Sequence, residues 1–142
     1  MSAATLDSEL CFALYSASSR LTSLYRPLLE PHGLTYTQFV VLMALWERDG
    51  VSISRLAEKT GLTNATMTPL LRRLEHKRYI KRLSVDGDER QKQIVLTETG
   101  SALAPLSKEI TEQVFCTTGL TRAQAKEMIQ NCHLIAQHAR TD

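Results

Sequence analysis

Three sulfur atoms, in Cys11, Cys116 and Cys132, carry the most reactive chemistry available to this 142-residue sequence. A cysteine attacks oxidants only as its thiolate, so each is either a small apolar core residue or a redox group, depending on its surroundings. None stands two to four residues from another, which argues against a zinc site. His32, His76, His133 and His138 are scattered, with neither metal-ligand spacing nor a Ser-His-Asp arrangement, and no glycine-rich phosphate loop is present. No enzyme activity, metal or cofactor is expected.

A second chemistry, the reading of phosphates and base edges, collects between residues 63 and 93. Residues 64–93 hold eight basic side chains (Arg72, Arg73, Lys77, Arg78, Lys81, Arg82, Arg90, Lys92) against four acidic ones, although the whole chain carries only +2. The remainder of the chain is slightly acidic. A basic segment on such a body suits a polyanion, although a solvated helix face has the same composition. Asn64-Ala65-Thr66-Met67-Thr68-Pro69 is small and polar, then Arg72-Arg73 follow. Small hydroxyl and amide side chains at a helix N-terminus can approach base edges, and guanidinium groups suit phosphates. Asn64, Thr66 and Thr68 are therefore candidates for base or phosphate contact, and Arg72 and Arg73 for phosphate.

These side chains need a scaffold, and its elements are legible. Leucines recur at helical spacing from about Asp7 to Glu30, with Asp7 as N-cap, Pro27 late in the helix and Pro31-His32-Gly33 as its stop. Thr35-Tyr36-Thr37-Gln38 is a capping box opening an apolar helix from Phe39 to Trp46. Val51-Ser52-Ile53 is a strand stub or extended link. Two short helices follow, Ile53 to Thr60 (cap Ser52, stop Gly61) and Asn64 to Arg78 (cap Thr63), in the helix-turn-helix pattern. The leucines Leu70, Leu71 and Leu74 are placed on its core side.

Residues 79–84 and 91–96 alternate apolar and polar around Asp86-Gly87, a β-hairpin or wing. At its tip Arg90 can reach a minor groove, with Asp88 either orienting it or forming a local salt bridge. Thr97 caps a helix running to about Cys116, and the Thr121–Gln124 capping box starts a last helix to about Arg140. The expected fold is mainly α: a winged helix-turn-helix core with long N- and C-terminal dimerisation helices and a two-stranded β wing. We read residues 1–142 as one domain, with about 7–33 and 98–140 for dimerisation and about 35–97 for DNA binding. The segment MSAATLDSEL has no leader character and no stretch is apolar enough to span a membrane, so a cytoplasmic location without membrane contact is expected. In such a reducing compartment the cysteines are not a disulfide framework.

Asp88-Glu89-Arg90, followed by Ile94-Val95-Leu96-Thr97-Glu98-Thr99-Gly100, closely resembles the wing signature of the MarR family of winged-helix regulators, and Arg78 to Arg82 resembles its entering strand. The resemblance covers about residues 6–138. It implies a dimer that sets one recognition helix per subunit into successive major grooves of a palindromic double-stranded DNA operator. Leu10-Cys11-Phe12 to Arg20, Tyr25-Arg26-Pro27, Gly33 to Gln38 and Leu45-Trp46-Glu47 further resemble the organic-hydroperoxide-resistance (OhrR-type) repressors, of the two-cysteine kind. That resemblance implies that Cys11 is the peroxide-reactive thiol. It also implies that Tyr25 and Tyr36 of the other subunit donate hydrogen bonds to Cys11, and that Cys116 of the other subunit resolves its sulfenic acid into a disulfide.

The position of Cys11 in the first turns of a helix is expected to favour its thiolate, with Phe12, Leu14, Phe39 and Leu42 as an apolar surround. Tyr15 either packs or contacts the thiol, and packing at a dimer interface with the hydroxyl at a wet edge is the alternative role for Tyr25 and Tyr36. Cys132, within Met128, Ile129, Ile135 and Ala136, suits a core seat, with a backup thiol or a mixed disulfide with a small thiol as the alternative. Alternative readings are a MarR-type repressor released by a non-covalent phenolic ligand, a thiol peroxidase using Cys11, and a winged helix that only docks proteins.

Overall fold

In the computed structural model the described residues are 2–85 and 88–139, with side chains described for all of these except 85 and 88–91. The Asp86-Gly87 turn therefore lies outside the described residues. The elements run α1 (Leu10–Leu29), α2 (Tyr36–Glu47), β1 (Val51–Ser52), α3 (Ile53–Thr60), α4 (Asn64–His76), β2 (Ile80–Val85), β3 (Asp88–Leu96), α5 (Glu98–Ala102), α6 (Ala104–Cys116) and α7 (Arg122–His138). They divide into two compact units, residues 1–110 and 111–142.

The first unit is a winged helix-turn-helix. Its core is assembled around α2, whose Phe39, Val41, Leu42 and Leu45 are all at most 1% exposed. Leu56 of α3, Met67, Leu70, Leu71 and Leu74 of α4, Ile80 and Ile94 of the sheet, and Ile110 of α6 complete one continuous cluster. Burying such side chains contributes about 1.5–3 kcal/mol each, which holds the short helices α3 and α4 that could not persist alone. The sheet is antiparallel in the order β1-β3-β2. Val51 pairs with Ile94 on one side of β3 and Arg82 pairs with Ile94 on the other. The expected two-stranded wing thus gains a third strand, because the stub at Val51–Ser52 finds its hydrogen-bond partners on the inner edge of β3.

Most helix boundaries follow from capping chemistry. Thr35 and Gln38 close a reciprocal box at the start of α2, with Gln38 N–H to Thr35 Oγ1 at 3.3 Å and Thr35 N–H to Gln38 Oε1 at 3.1 Å. The start of α1 differs from expectation. Residues Leu6–Ser8 form a 3-10 turn, and Glu9, not Asp7, caps the helix by accepting the Phe12 N–H. The expected single helix from Thr97 to Cys116 is divided at Leu103. Pro105 has no N–H to offer the Ser101 carbonyl, so the chain closes i→i+3 turns there instead, Leu103 N–H to Gly100 O and Leu106 N–H to Leu103 O. α4 ends at His76, two residues earlier than expected. Tyr79 N–H bonds Leu74 O and Arg78 N–H bonds Glu75 O, with Arg78 at φ +67° in the left-handed position.

In the second unit, α7 starts with the Thr121–Gln124 capping box and buries no residue. Met128, Ile129, Leu134 and Ile135 are 40–55% exposed, and Cys132 is exposed beside them. Cys132 therefore does not take the expected core seat among the described residues of this unit, where α7 leaves its apolar side chains exposed. α1 likewise leaves Leu10, Phe12, Tyr15 and Leu24 exposed.

Candidate redox site and nucleic-acid interface

The helix-turn-helix presents its polar side chains by burying everything opposite them. Ser52 caps α3 through the Arg55 N–H at 3.1 Å, Gly61 ends it at φ +77°, and Thr63 caps α4 through the Thr66 N–H at 3.1 Å. Met67, Leu70, Leu71 and Leu74 then lock one face of α4 into the core. Asn64, Ala65, Thr66, Arg72 and Arg73 are left exposed on the other face, with Thr68 half-buried. The Thr68 hydroxyl donates to Asn64 O at 3.0 Å, and the Thr63 hydroxyl donates to Thr66 Oγ1 at 3.0 Å. Thr68 thus spends its proton inside the helix and offers an approaching ligand a methyl group and oxygen lone pairs.

Asp88 and Arg90 belong to β3, where Val85 pairs with Asp88, but their side chains lie outside the described residues. A brace behind the wing has no signal in the sequence. Arg82 of β2 places Nε 3.6 Å from Glu75 Oε1 of α4, with the guanidinium side chain only 20% exposed. This pair, joining wing to helix, spans elements whose side-chain directions depend on the sheet register, which no local pattern reveals.

At the other end of the unit, Tyr25 of α1 and Tyr36 of α2 pack as a tilted pair with ring centroids 4.8 Å apart, and Phe39 backs Tyr25 at 5.8 Å. Burial, and secondarily the neighbouring Tyr36 phenol, push the Tyr25 phenol above its ordinary value. Tyr25 is thereby kept as a protonated hydrogen-bond donor through the physiological range. The two tyrosines singled out by sequence are thus brought together by the α1–α2 packing.

Cys11 is free and exposed in the first turn of α1. Fourteen residues separate it from Tyr25 along one continuous helix, a rise of about 21 Å and just under four turns. The thiol and the phenol therefore lie near one face of α1, and no phenol of this pair can touch the thiol of its own chain. The expected apolar surround is not formed within the chain either, since Phe39 and Leu42 are sealed in the core. The expected easing of ionisation is reversed: a hydrogen bond to Glu9 and the charge of that carboxylate push the Cys11 thiol up. The helix end does favour an anion, but Glu9 already supplies one there.

Cys116, at the end of α6, is also free and exposed, with Sγ 3.7 Å from Glu112 Oε1. Glu112 in turn pairs with Arg122, whose guanidinium lies 4.3 Å over the Phe115 ring. Among the described residues no cluster of three or more His, Cys, Asp or Glu side chains could hold a metal ion. No helix among them is long and apolar enough to cross a membrane.

Comparison with known proteins agrees with this architecture. The profile described as "MarR family" matches residues 34–92. The chain is 36% identical over 134 residues to the HTH-type transcriptional regulator SarZ of Staphylococcus haemolyticus, covering 94% of this chain and 91% of SarZ. It is 39% identical over 127 residues to the HTH-type transcriptional regulator TtmR of Methylorubrum extorquens, covering 89% of this chain but 65% of that relative's length. Among solved structures, reduced AbfR bound to DNA is similar with a TM-score of 0.76 at 28% identity, covering 95% of this chain and 94% of AbfR. A disulfide form of AbfR is similar with a TM-score of 0.64 at 28% identity, covering 93% of this chain and 88% of that one.

Proposed function

Because the chain belongs to the MarR family of winged-helix transcriptional regulators, we propose that it is a homodimeric DNA-binding repressor that releases its operator when an organic hydroperoxide oxidises Cys11. The observation that carries this reading is the placement of an exposed thiol and the Tyr25 phenol near one face of α1, about 21 Å apart, with Tyr36 of α2 packed against Tyr25. Only a second copy, running antiparallel, brings the Tyr25 and Tyr36 hydroxyls to Cys11. That copy would also cover the apolar residues that α1 and α7 expose. It supplies what Glu9 withholds, since phenol donors stabilise a thiolate without adding charge. A related protein of this fold, AbfR, has been described both reduced on DNA and in a disulfide form.

The chemistry then runs in two balanced steps. The Cys11 thiolate attacks the distal peroxide oxygen, the O–O bond breaks, and the alkoxide leaves as alcohol after taking a proton. The resulting sulfenic acid condenses with the Cys116 thiol of the partner subunit, forming a disulfide and releasing water. On DNA, Asn64, Thr66 and Thr68 face base edges, Arg72 and Arg73 hold phosphates, and Arg90, oriented by Asp88, reaches the minor groove. Two such heads must sit about 34 Å apart to engage both halves of a palindrome, so a disulfide that rotates one head loses half of the site.

The test is operator binding by the purified protein before and after cumene hydroperoxide, with a non-reducing gel of the same samples. Wild type is expected to release DNA and run as a covalent two-chain species, and Cys11→Ser to do neither. Release of Cys11→Ser by peroxide would defeat the thiol reading. Release of that variant by a phenolic compound would replace it with non-covalent ligand control.

A further inference from the structure

The segment that carries Tyr36 is tied to the far end of the reading helix. Gln38 is the one buried polar side chain among the described residues, 3% exposed. Its Oε1 accepts the Thr35 N–H at 3.1 Å and the Lys77 ammonium at 3.1 Å. The same ammonium donates to the Gly33 carbonyl, and Tyr79 donates its hydroxyl to the His32 carbonyl at 2.7 Å. Gly33, at φ +68°, presents an open flank to this lysine, and an added Cβ there would stand 3.9 Å from Lys77 Cε. Lys77 and Tyr79 flank the left-handed Arg78, at the point where two backbone bonds fasten the chain to the last turn of α4. Tyr36 is the first residue of α2, between its cap Thr35 and the box residue Gln38.

We propose that Lys77 is a positioning residue that couples the Tyr25–Tyr36 pair to the DNA-reading helix α4, through its bonds to Gly33 and Gln38. The proposal rests on the redox reading above and names its transmission contact. A phenol pair that gains or loses a thiol shifts the first turn of α2. That turn cannot move without stretching the bonds to Lys77 or carrying the end of α4 with it. Two ammonium hydrogen bonds and a phenol hydrogen bond make the joint, and one of the ammonium bonds ends on the buried Gln38 amide. A contiguous run of contacts is the physical form such coupling takes, and its strength is a ratio of affinities in the two states. A bland role for Lys77, as a cation over a DNA phosphate, would lower affinity equally in both states.

The experiment measures operator Kd for the reduced and the peroxide-treated full-length protein in wild type, Lys77→Met and Lys77→Arg, with mass spectrometry of Cys11 on each sample. At equal Cys11 oxidation, the ratio of oxidised to reduced Kd is expected to fall at least tenfold in Lys77→Met and to recover in Lys77→Arg. A Lys77→Met ratio equal to wild type overturns the proposal, whether or not both affinities drop together. Should Lys77→Met not fold, Tyr79→Phe, which deletes only the hydroxyl that grips His32, must lower the ratio; an unchanged ratio overturns the proposal equally. A wild type indifferent to peroxide overturns the redox reading, and the coupling with it, and is distinguishable from failure of the coupling alone.

Discussion

Glu9 and Cys11 share the first turn of α1, and the carboxylate that caps the helix by accepting the Phe12 N–H also opposes ionisation of the thiol, through a hydrogen bond and through its charge. The residue that stabilises the helix end therefore restrains the sulfur that the reading above assigns to sensing. Stability and reactivity meet at one side chain.

Glu9→Gln should release that restraint. Removing a neighbouring negative charge lowers the cost of forming the thiolate, so the Cys11 midpoint falls and more thiolate exists at neutral pH. The expected result is a severalfold faster alkylation of Cys11 by iodoacetamide at pH 7, with the rate–pH profile displaced to lower pH. The amide oxygen can still accept the Phe12 N–H, so helicity should change little. An undisplaced profile would show that Glu9 does not govern the thiol.

Arg72 and Arg73 stand exposed on α4 opposite its buried leucines. If each meets one phosphate, Arg72→Gln and Arg73→Gln should each weaken binding to operator and unrelated DNA alike. Each should reduce the slope of log affinity against log salt by about 1. Asn64→Ala, by contrast, should cost about 1–3 kcal/mol on operator and little on unrelated DNA if it reads a base. Fluorescence anisotropy at several salt concentrations separates the two classes. A salt slope unaltered in both arginine variants would remove them from the interface.

Gly100 sits where β3 turns into α5, and any Cβ there would overlap the Tyr79 carbonyl oxygen. Its own carbonyl accepts the Trp46 indole N–H at 3.0 Å, so the backbone cannot simply back away. Gly100→Ala should destabilise the first unit by about 1–3 kcal/mol, read as a lower urea midpoint with an unchanged slope. An unchanged midpoint would mean that the junction is looser than its geometry implies.

The amino-acid sequence determined the elements whose signals are short-range. Thr35, Ser52, Thr63, Thr97 and Thr121 act as caps because each needs only a backbone N–H about three residues away, and Gly61 ends α3 because a left-handed residue is required there. The apolar period of α4 likewise specified which face would be buried, and hence that Asn64, Thr66, Arg72 and Arg73 would be presented. Tertiary structure alone decided the rest. The Lys77 bonds to Gly33 and Gln38, the Arg82–Glu75 brace and the third strand at Val51 join residues distant in the chain or set by sheet register, and no local pattern carries those distances. The same holds for Cys11. Its neighbours in sequence suggested a thiolate at a positive helix end, but the carboxylate that actually occupies that end is chosen by where the helix begins, at Leu10 with Glu9 as its cap. Charge acts through space, so the reactivity of a side chain depends on what the folded backbone places beside it.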